Sequence, residues 1–148
     1  MSAPRTIALA TADKFSDLVP DDLLLADALG ARERTVVAAI WNDPAQRWND
    51  YEAVVIRSCW DYHLAHDAFL AWITQLETTG VIDAAGRAIV AAERGRARSL
   101  YARVDGCVIS GRFVLMEIEL IEPDLFLRAN VAAPARLADA LLARIGER

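Results

Sequence analysis

The sequence predicts an α/β fold: a parallel, Rossmann-like sheet followed by an antiparallel hairpin and a final helix. Three short runs are apolar throughout and lie on either side of helical patterns, which is typical of parallel strands covered on both faces. Over residues 101–120 apolar and polar residues alternate instead, the period of a half-buried hairpin. The chain has 148 residues, 55% of them hydrophobic, which is enough apolar surface for a core.

The first part of the chain follows a strand–helix–strand order. A strand is predicted over Thr6–Thr11, and a helix begins at Pro20, carries two acidic residues in its first turn, and stops near Gly30. Two further strands follow, over Thr35–Trp41 and Tyr51–Ser58. Continuous apolar strands in this order imply parallel pairing with a right-handed crossover.

The later elements are a helix, a weakly patterned stretch, the hairpin and a last helix. Apolar residues at helical spacing predict an amphipathic helix from about residue 65 to Thr79, ended by Gly80. Residues 81–99 are Ala- and Arg-rich and are interpreted as a helix or a helix and a loop. The final helix begins near Pro134 and ends near Gly146.

Composition excludes several classes of partner. The formal net charge is -5 and the pI is about 5.0, so no basic stripe is available for a nucleic acid. Charges interrupt every apolar run before it could span a membrane, and no signal peptide opens the chain, which favours a cytoplasmic location. Cys59 and Cys107 lack metal-ligand spacing and are interpreted as small buried apolar residues.

The polar positions of the hairpin form the first candidate site. Carboxylates collected on one face of a sheet repel each other unless a cation or solvent relieves them. Such hard oxygen ligands suit Mg²⁺, which binds a few carboxylates together with nucleotide phosphates. The alternative is a solvated acidic face beside a structural salt bridge. The residues concerned are Arg103, Asp105, Glu117 and Glu119.

The turn decides whether these side chains share a face. A two-residue loop of Ser110 and Gly111 would place Asp105 and Glu117 on opposite faces. A three-residue loop, 109–111, would pair Arg103 with Glu117 and bring all four together. We therefore expect the three-residue loop.

A second candidate site follows the third strand, where the carboxyl ends of a parallel sheet usually bind ligands. A run that mixes a cation, a hydroxyl, a carboxylate and aromatic rings there could hold a small polar molecule. The alternative is the start of a helix, with Asp61 as its cap and the aromatic rings packed beneath it. The candidate substrate residues are Arg57, Ser58, Trp60, Asp61 and Tyr62.

Two blocks, IRSCWDYHLAHDAFLAWI (Ile56–Ile73) and LYARVDGCVISGRFVLMEIELIEPDLFL (Leu100–Leu127), resemble the two ends of a bacterial ATP-grasp ligase family. That family includes cycloserine-forming and glutathione-synthetase-like enzymes. The resemblance implies ATP and Mg²⁺ as cofactors and an amino-acid-like substrate, whose carboxylate is activated as an acyl phosphate before an amine attacks or the molecule cyclises. It also implies Mg²⁺ ligation by Asp105 and Glu117, a second-metal position at Glu119, and a catalytic Arg103 that orients phosphate or substrate.

The chain departs from that family in its middle. By the resemblance, residues 1–80 form the Rossmann-like N-terminal region and 81–148 a residual C-terminal part of the ATP-grasp domain. The adenine pocket, phosphate-binding lysines and lid would belong between Gly80 and about Ala92, and Lys14 is the only lysine. The sequence thus indicates an internally shortened member, or alternatively a non-catalytic remnant with a structural or weak cation-binding hairpin; a metal-assisted hydrolase is a minor third reading. Apolar surface uncovered by the shortening predicts a homodimer.

Overall fold

The computed structural model of the protein describes residues 6–79, 101–119 and 123–146. The elements predicted at 81–99 therefore lie outside the described residues. In the described parts, no helix is long and apolar enough to cross a membrane. The strands are β1 (Thr6–Thr11), β2 (Thr35–Ile40), β3 (Ala53–Ile56), β4 (Arg103–Ile109) and β5 (Arg112–Glu119), and the helices are α1 (Pro20–Gly30), α2 (His66–Thr79) and α3 (Ala133–Gly146).

The first three strands form one parallel sheet in the order β2–β1–β3. Thr6 pairs with Thr35 at the start of β2, and Ile7 pairs with Ala53 at the start of β3. The predicted α/β fold and parallel pairing are confirmed. Every residue of β3 is buried, as expected for a strand covered on both faces.

Two apolar clusters cover the two faces of this sheet. Because side chains alternate along a strand, Ala8 and Ile56 face α2 with its Phe69, Trp72 and Leu76. The intervening residues of β1 and β3 face the other way and pack with α1 and α3; that cluster includes Ile7, Leu9, Val55, Leu25, Leu29, Ala138 and Leu141. The last helix of the chain therefore shares a core with the first strand.

The hairpin of β4 and β5 has a two-residue turn. Ile109 pairs with Arg112, and Ser110 and Gly111 between them have φ of 51° and 75°, the positive values of type I′ turns. The expected three-residue loop is therefore wrong. The hairpin instead changes register at a bulge between Asp105 and Gly106.

The bulge restores the pairing that the turn alone would not give. Gly106 pairs with Leu115, while Asp105 pairs with Glu117, so Met116 is an extra residue on β5. Past the bulge, Arg103 pairs with Glu119. A side-chain period of two means that this one-residue shift turns the carboxylates of β5 to the face of Arg103 and Asp105.

The two cysteines differ in environment. Cys59 is buried in the cluster beneath α2, as the sequence predicts. Cys107 is exposed on β4, so its predicted burial is wrong. The reason is that the middle of the hairpin, unlike the parallel sheet, has no element packed over it in the described part of the chain.

Candidate functional site

Three carboxylates meet on one face of the hairpin. Each of Asp105, Glu117 and Glu119 offers an oxygen, and these oxygens all lie within 4.8 Å of one another. We call this group the carboxylate triad. The predicted side-chain cluster is thus formed, although through the bulge rather than through the turn. Three hard oxygen donors at this spacing could surround a single small cation.

Arg103 lies among the three carboxylates. Its Nε is 2.9 Å from Oδ2 of Asp105, and its Nη2 is 2.6 Å from Oε1 of Glu119 and 3.8 Å from Oε2 of Glu117. Three carboxylates and one guanidinium leave the cluster with two negative charges when all are ionised. The cluster therefore keeps an attraction for a divalent cation even with Arg103 in place.

The ionisation of the triad reflects both burial and crowding. Partial burial raises the pKa of Glu119, Arg103 lowers it, and the carboxylates of Glu117 and Asp105 raise it, with a net rise. The pKa of Arg103 is itself raised, first by its hydrogen bond to Asp105. The two shifts describe one ion-pair network in which like charges compete for a single cation.

Arg103 is also contacted by two residues that follow the hairpin, Asp124 and Phe126. Its Nη1 donates to the carbonyl oxygen of Asp124 at 3.3 Å, and its guanidinium carbon lies 5.6 Å from the ring centre of Phe126. Asp124 in turn pairs with Arg128 at 3.4 Å. The segment after the hairpin thus fixes the cation that the triad shares.

The same segment is fastened to the start of α1 by a buried carboxylate. Asp21 accepts hydrogen bonds from the backbone amide of Leu127 and, at 2.7 Å, from Nη1 of Arg128. Burial raises the pKa of Asp124, but its hydrogen bonds from the Phe126 amide and Arg128 lower it, and the net shift is downward. These contacts connect the hairpin to the parallel sheet through α1.

Arg57 and Ser58 are buried rather than open to a ligand. Asp22 accepts from Nε of Arg57 at 2.7 Å and from Oγ of Ser58 at 2.8 Å. Oγ of Ser58 also lies 2.9 Å from Oγ1 of Thr11. The guanidinium of Arg57 is 5.6 Å from the ring centre of Tyr101, and its Nη1 has no hydrogen-bond partner.

The charge of Arg57 is secured by this network. Burial lowers the pKa of Arg57, but the Tyr101 hydroxyl and the Asp22 carboxylate raise it more, so its pKa is raised overall. Sequence reasoning missed Asp22, Thr11 and Tyr101. Their partners are 35 to 47 residues away along the chain, so no local pattern marks them.

The other residues of the second candidate site separate into two environments. Asp61 occupies the N-cap position of a short helical turn at Tyr62–Leu64, as in the alternative interpretation, but its carboxylate accepts from Nε1 of Trp41 at 2.8 Å and makes no capping hydrogen bond. Tyr62 packs on Phe69 with ring centres 5.1 Å apart. Trp60 remains 38% exposed and meets Phe15 edge-on at 5.0 Å. Of the five residues, Trp60 therefore presents the most surface to a ligand.

The fold and these contacts define an α/β protein with a parallel sheet and an acidic antiparallel hairpin. A family model described as D-cycloserine synthetase DcsG, N-terminal domain, matches residues 7–82, just over half of the chain. The chain belongs to this family, which confirms the relation to ATP-grasp ligases predicted from the sequence.

The comparison with solved structures gives one match, titled crystal structure of D-cycloserine synthetase DcsG. It is 15% identical to this chain with a TM-score of 0.48, and the match covers 96% of this chain and 56% of that one. The chain thus spans little more than half the length of that structure. The comparison of this chain with curated proteins found no match.

Proposed function

We propose that this chain is a shortened member of the ATP-grasp ligases whose carboxylate triad binds Mg²⁺. The observation that carries the proposal is the placement of three carboxylate oxygens within 4.8 Å of one another. Mg²⁺ typically binds proteins through one or two carboxylates and completes its shell with water and substrate phosphates. The remaining charge of the cluster matches a divalent ion, so the residues present fit the metal.

In the proposed reaction, ATP transfers its γ-phosphoryl group to a substrate carboxylate and leaves as ADP, and an amine or an internal nucleophile then attacks the acyl carbon of the resulting acyl phosphate and releases inorganic phosphate. The bound metal would offset the negative charge that develops on the transferred phosphoryl group. Asp105 and Glu117 would hold it, with Glu119 at a second metal position. Arg103 would orient phosphate, because its guanidinium already lies against all three carboxylates.

For the substrate we propose an amino-acid-like molecule at the carboxyl end of the parallel sheet. Trp60 would contact it, because its ring is exposed there beside Phe15. Arg57 and Ser58 would act from beneath by fixing the end of β3, since both are buried against Asp22. Asp61 and Tyr62 would support the loop through Trp41 and Phe69.

A non-catalytic remnant is the second candidate function, and one observation favours it. Arg103 pairs with every carboxylate of the triad, at 2.9, 3.8 and 2.6 Å. The cluster is thus partly neutralised without a metal and could serve as a structural ion-pair network. Lys14, the only lysine of the chain, lies 5.5 Å from the Phe15 ring centre, on the parallel-sheet side of the molecule.

The metal test is a thermal melt with and without Mg²⁺. A ligand that binds only the folded state raises the free energy of unfolding by mass action, by about 2.7 kcal/mol at a hundred times its Kd. The melting temperature rises with it. We expect Mg²⁺ to stabilise the wild type and Glu117→Gln to lose most of the increment. Without metal, Glu117→Gln should be as stable as the wild type or more so, because one repulsive charge is gone.

The matched control is Asp27→Asn, which removes one exposed carboxylate from α1. It should keep the full response to Mg²⁺. Equal responses of all three proteins would contradict metal binding at the triad. Calorimetric titration of the wild type with a non-hydrolysable ATP analogue and Mg²⁺ then separates the candidates: nucleotide binding supports the ligase, and metal binding without nucleotide supports the remnant.

A further inference from the structure

The face of the hairpin opposite the carboxylate triad is apolar throughout. Strand alternation and the observed pairing place on it Val104, Gly106, Val108, Phe113, Leu115 and Ile118; we call this the apolar hairpin face. No charged residue of β4 or β5 belongs to it. Gly106 contributes no side chain, and the Phe113 ring lies against its Cα.

This face is open to solvent. Its five large side chains are between 52 and 71% exposed. Side chains of this size expose together on the order of 500 Å² of apolar surface, the upper range for the largest patch of an ordinary monomer. A hairpin whose one face is solvated and polar normally buries the other face. We therefore expect another protein surface to cover the apolar hairpin face.

The chemistry of the face limits what that occupant can be. The buried centre of a protein interface is depleted in charged residues, and the side chains of this face carry no charged or hydrogen-bonding group. Its occupant must offer a neutral apolar surface of similar size. Of the other exposed large apolar side chains among the described residues, Ile109, Val114 and Met116 also belong to the hairpin, and the rest are scattered over separate segments, as with Leu23, Leu64 and Val131.

We propose that the apolar hairpin face is covered by the same face of a second copy of this chain. Contact between two identical faces about a two-fold axis closes after two copies. Two faces of on the order of 500 Å² bury about 1,000 Å² in total, the lower limit of a specific interface. The two hairpins would then pack as a two-layered sheet about 10 Å thick.

Electrostatics agrees with this arrangement. Each copy carries a net charge of -5, so approach through the acidic face would be repulsive. In the proposed dimer the neutral faces meet and both carboxylate triads lie on the outer sides. The dimer consequently leaves the proposed Mg²⁺ site free, and its test is independent of the function proposed above.

The test is sedimentation velocity of the full chain over a micromolar concentration series. The wild type should show a reversible monomer–dimer equilibrium. Val108→Glu should raise the dissociation constant at least about tenfold, because a two-fold interface buries the introduced charge twice. Val131→Glu is the matched control, since Val131 is 99% exposed and lies outside the hairpin, and its equilibrium should be that of the wild type.

A cross-link locates the interface without relying on a destabilising change. In a Cys107→Ser background, Val108→Cys should form a disulfide-linked dimer on mild oxidation, and Val131→Cys in the same background should not. A wild type that stays monomeric across the series overturns the proposal, because the face is then covered from within the chain or left bare. A dimer equally strong with Val108→Glu also overturns it, because the contact then lies elsewhere.

Discussion

Asp22 and Arg57 show how far one residue's role can differ from its local pattern. The sequence places Asp21 and Asp22 in the first turn of a helix, where acidic residues commonly complement the helix dipole in solvent. In the structure both are buried, and Asp22 forms an ion pair with Arg57, whose side chain is only 3% exposed. The pair joins the start of α1 to the end of β3 and thereby shapes the carboxyl end of the sheet.

We expect Arg57→Met to lower the free energy of unfolding by about 3–5 kcal/mol, because the change leaves the Asp22 carboxylate buried without its cation. Urea denaturation measures the loss. Arg47→Met is the control: Arg47 also pairs with an aspartate, Asp50, but its side chain is 81% exposed, so the cost should stay within about 1 kcal/mol.

The double variant Arg57→Met/Asp22→Asn should be less destabilised than the sum of its two single changes, since removing both charges leaves neither one stranded. Equal costs for Arg57→Met and Arg47→Met would show that the buried pair contributes no more than a surface pair.

At the scale of elements, periodicity predicts the strands and helices well, and it predicts the site only in part. The runs at 6–11 and 20–30 have the observed bounds, because continuous apolar strands and a Pro-initiated helix are local signals. The composition of the triad is equally visible. The sequence does not show how the triad comes together, because a bulge at Met116 sets the register of the hairpin. One inserted residue leaves the alternation of apolar and polar residues almost unchanged.

Gly106 lies at the bulge, where neighbouring atoms approach it closely. A Cβ built there would collide with the Phe113 ring and would lie 2.7 Å from the carbonyl oxygen of Val114. We expect Gly106→Ala to destabilise the hairpin by about 1–3 kcal/mol and to lower the Mg²⁺ response, because the register that gathers the triad is disturbed. Thermal melts with and without Mg²⁺ measure both effects.

Gly30→Ala is the control, because nothing lies within 4 Å of a Cβ at that position. It should leave both the stability and the Mg²⁺ response near those of the wild type. A Gly106→Ala protein indistinguishable from Gly30→Ala would mean that the hairpin adapts to the added methyl group without losing its register.

At the scale of the whole molecule, one of the two apolar clusters crosses the predicted boundary at residue 80. The division into an N-terminal region, 1–80, and a C-terminal part, 81–148, remains a prediction from the family resemblance. The cluster formed by β1, β3, α1 and α3 nevertheless contains Leu141 together with Leu9 and Leu25. Sequence periodicity identifies the apolar side of α3 but cannot name the sheet face that it covers, because that pairing joins residues more than a hundred positions apart.

A destabilising substitution in α3 should therefore also lower the stability of the parallel sheet near the start of the chain. Leu141 is fully buried, so Leu141→Ala should cost about 2–5 kcal/mol. All four tryptophans precede residue 80, and Trp41, Trp48 and Trp72 belong to the cluster on the opposite sheet face. If the sheet and α3 unfold together, the urea midpoint followed by tryptophan fluorescence should fall in Leu141→Ala as far as the midpoint followed by circular dichroism.

The control is Leu64→Ala, at a side chain that is 78% exposed, which should move neither midpoint appreciably. A fluorescence transition that stays at the wild-type position in Leu141→Ala would show that residues 1–80 fold as an independent domain on which α3 only rests.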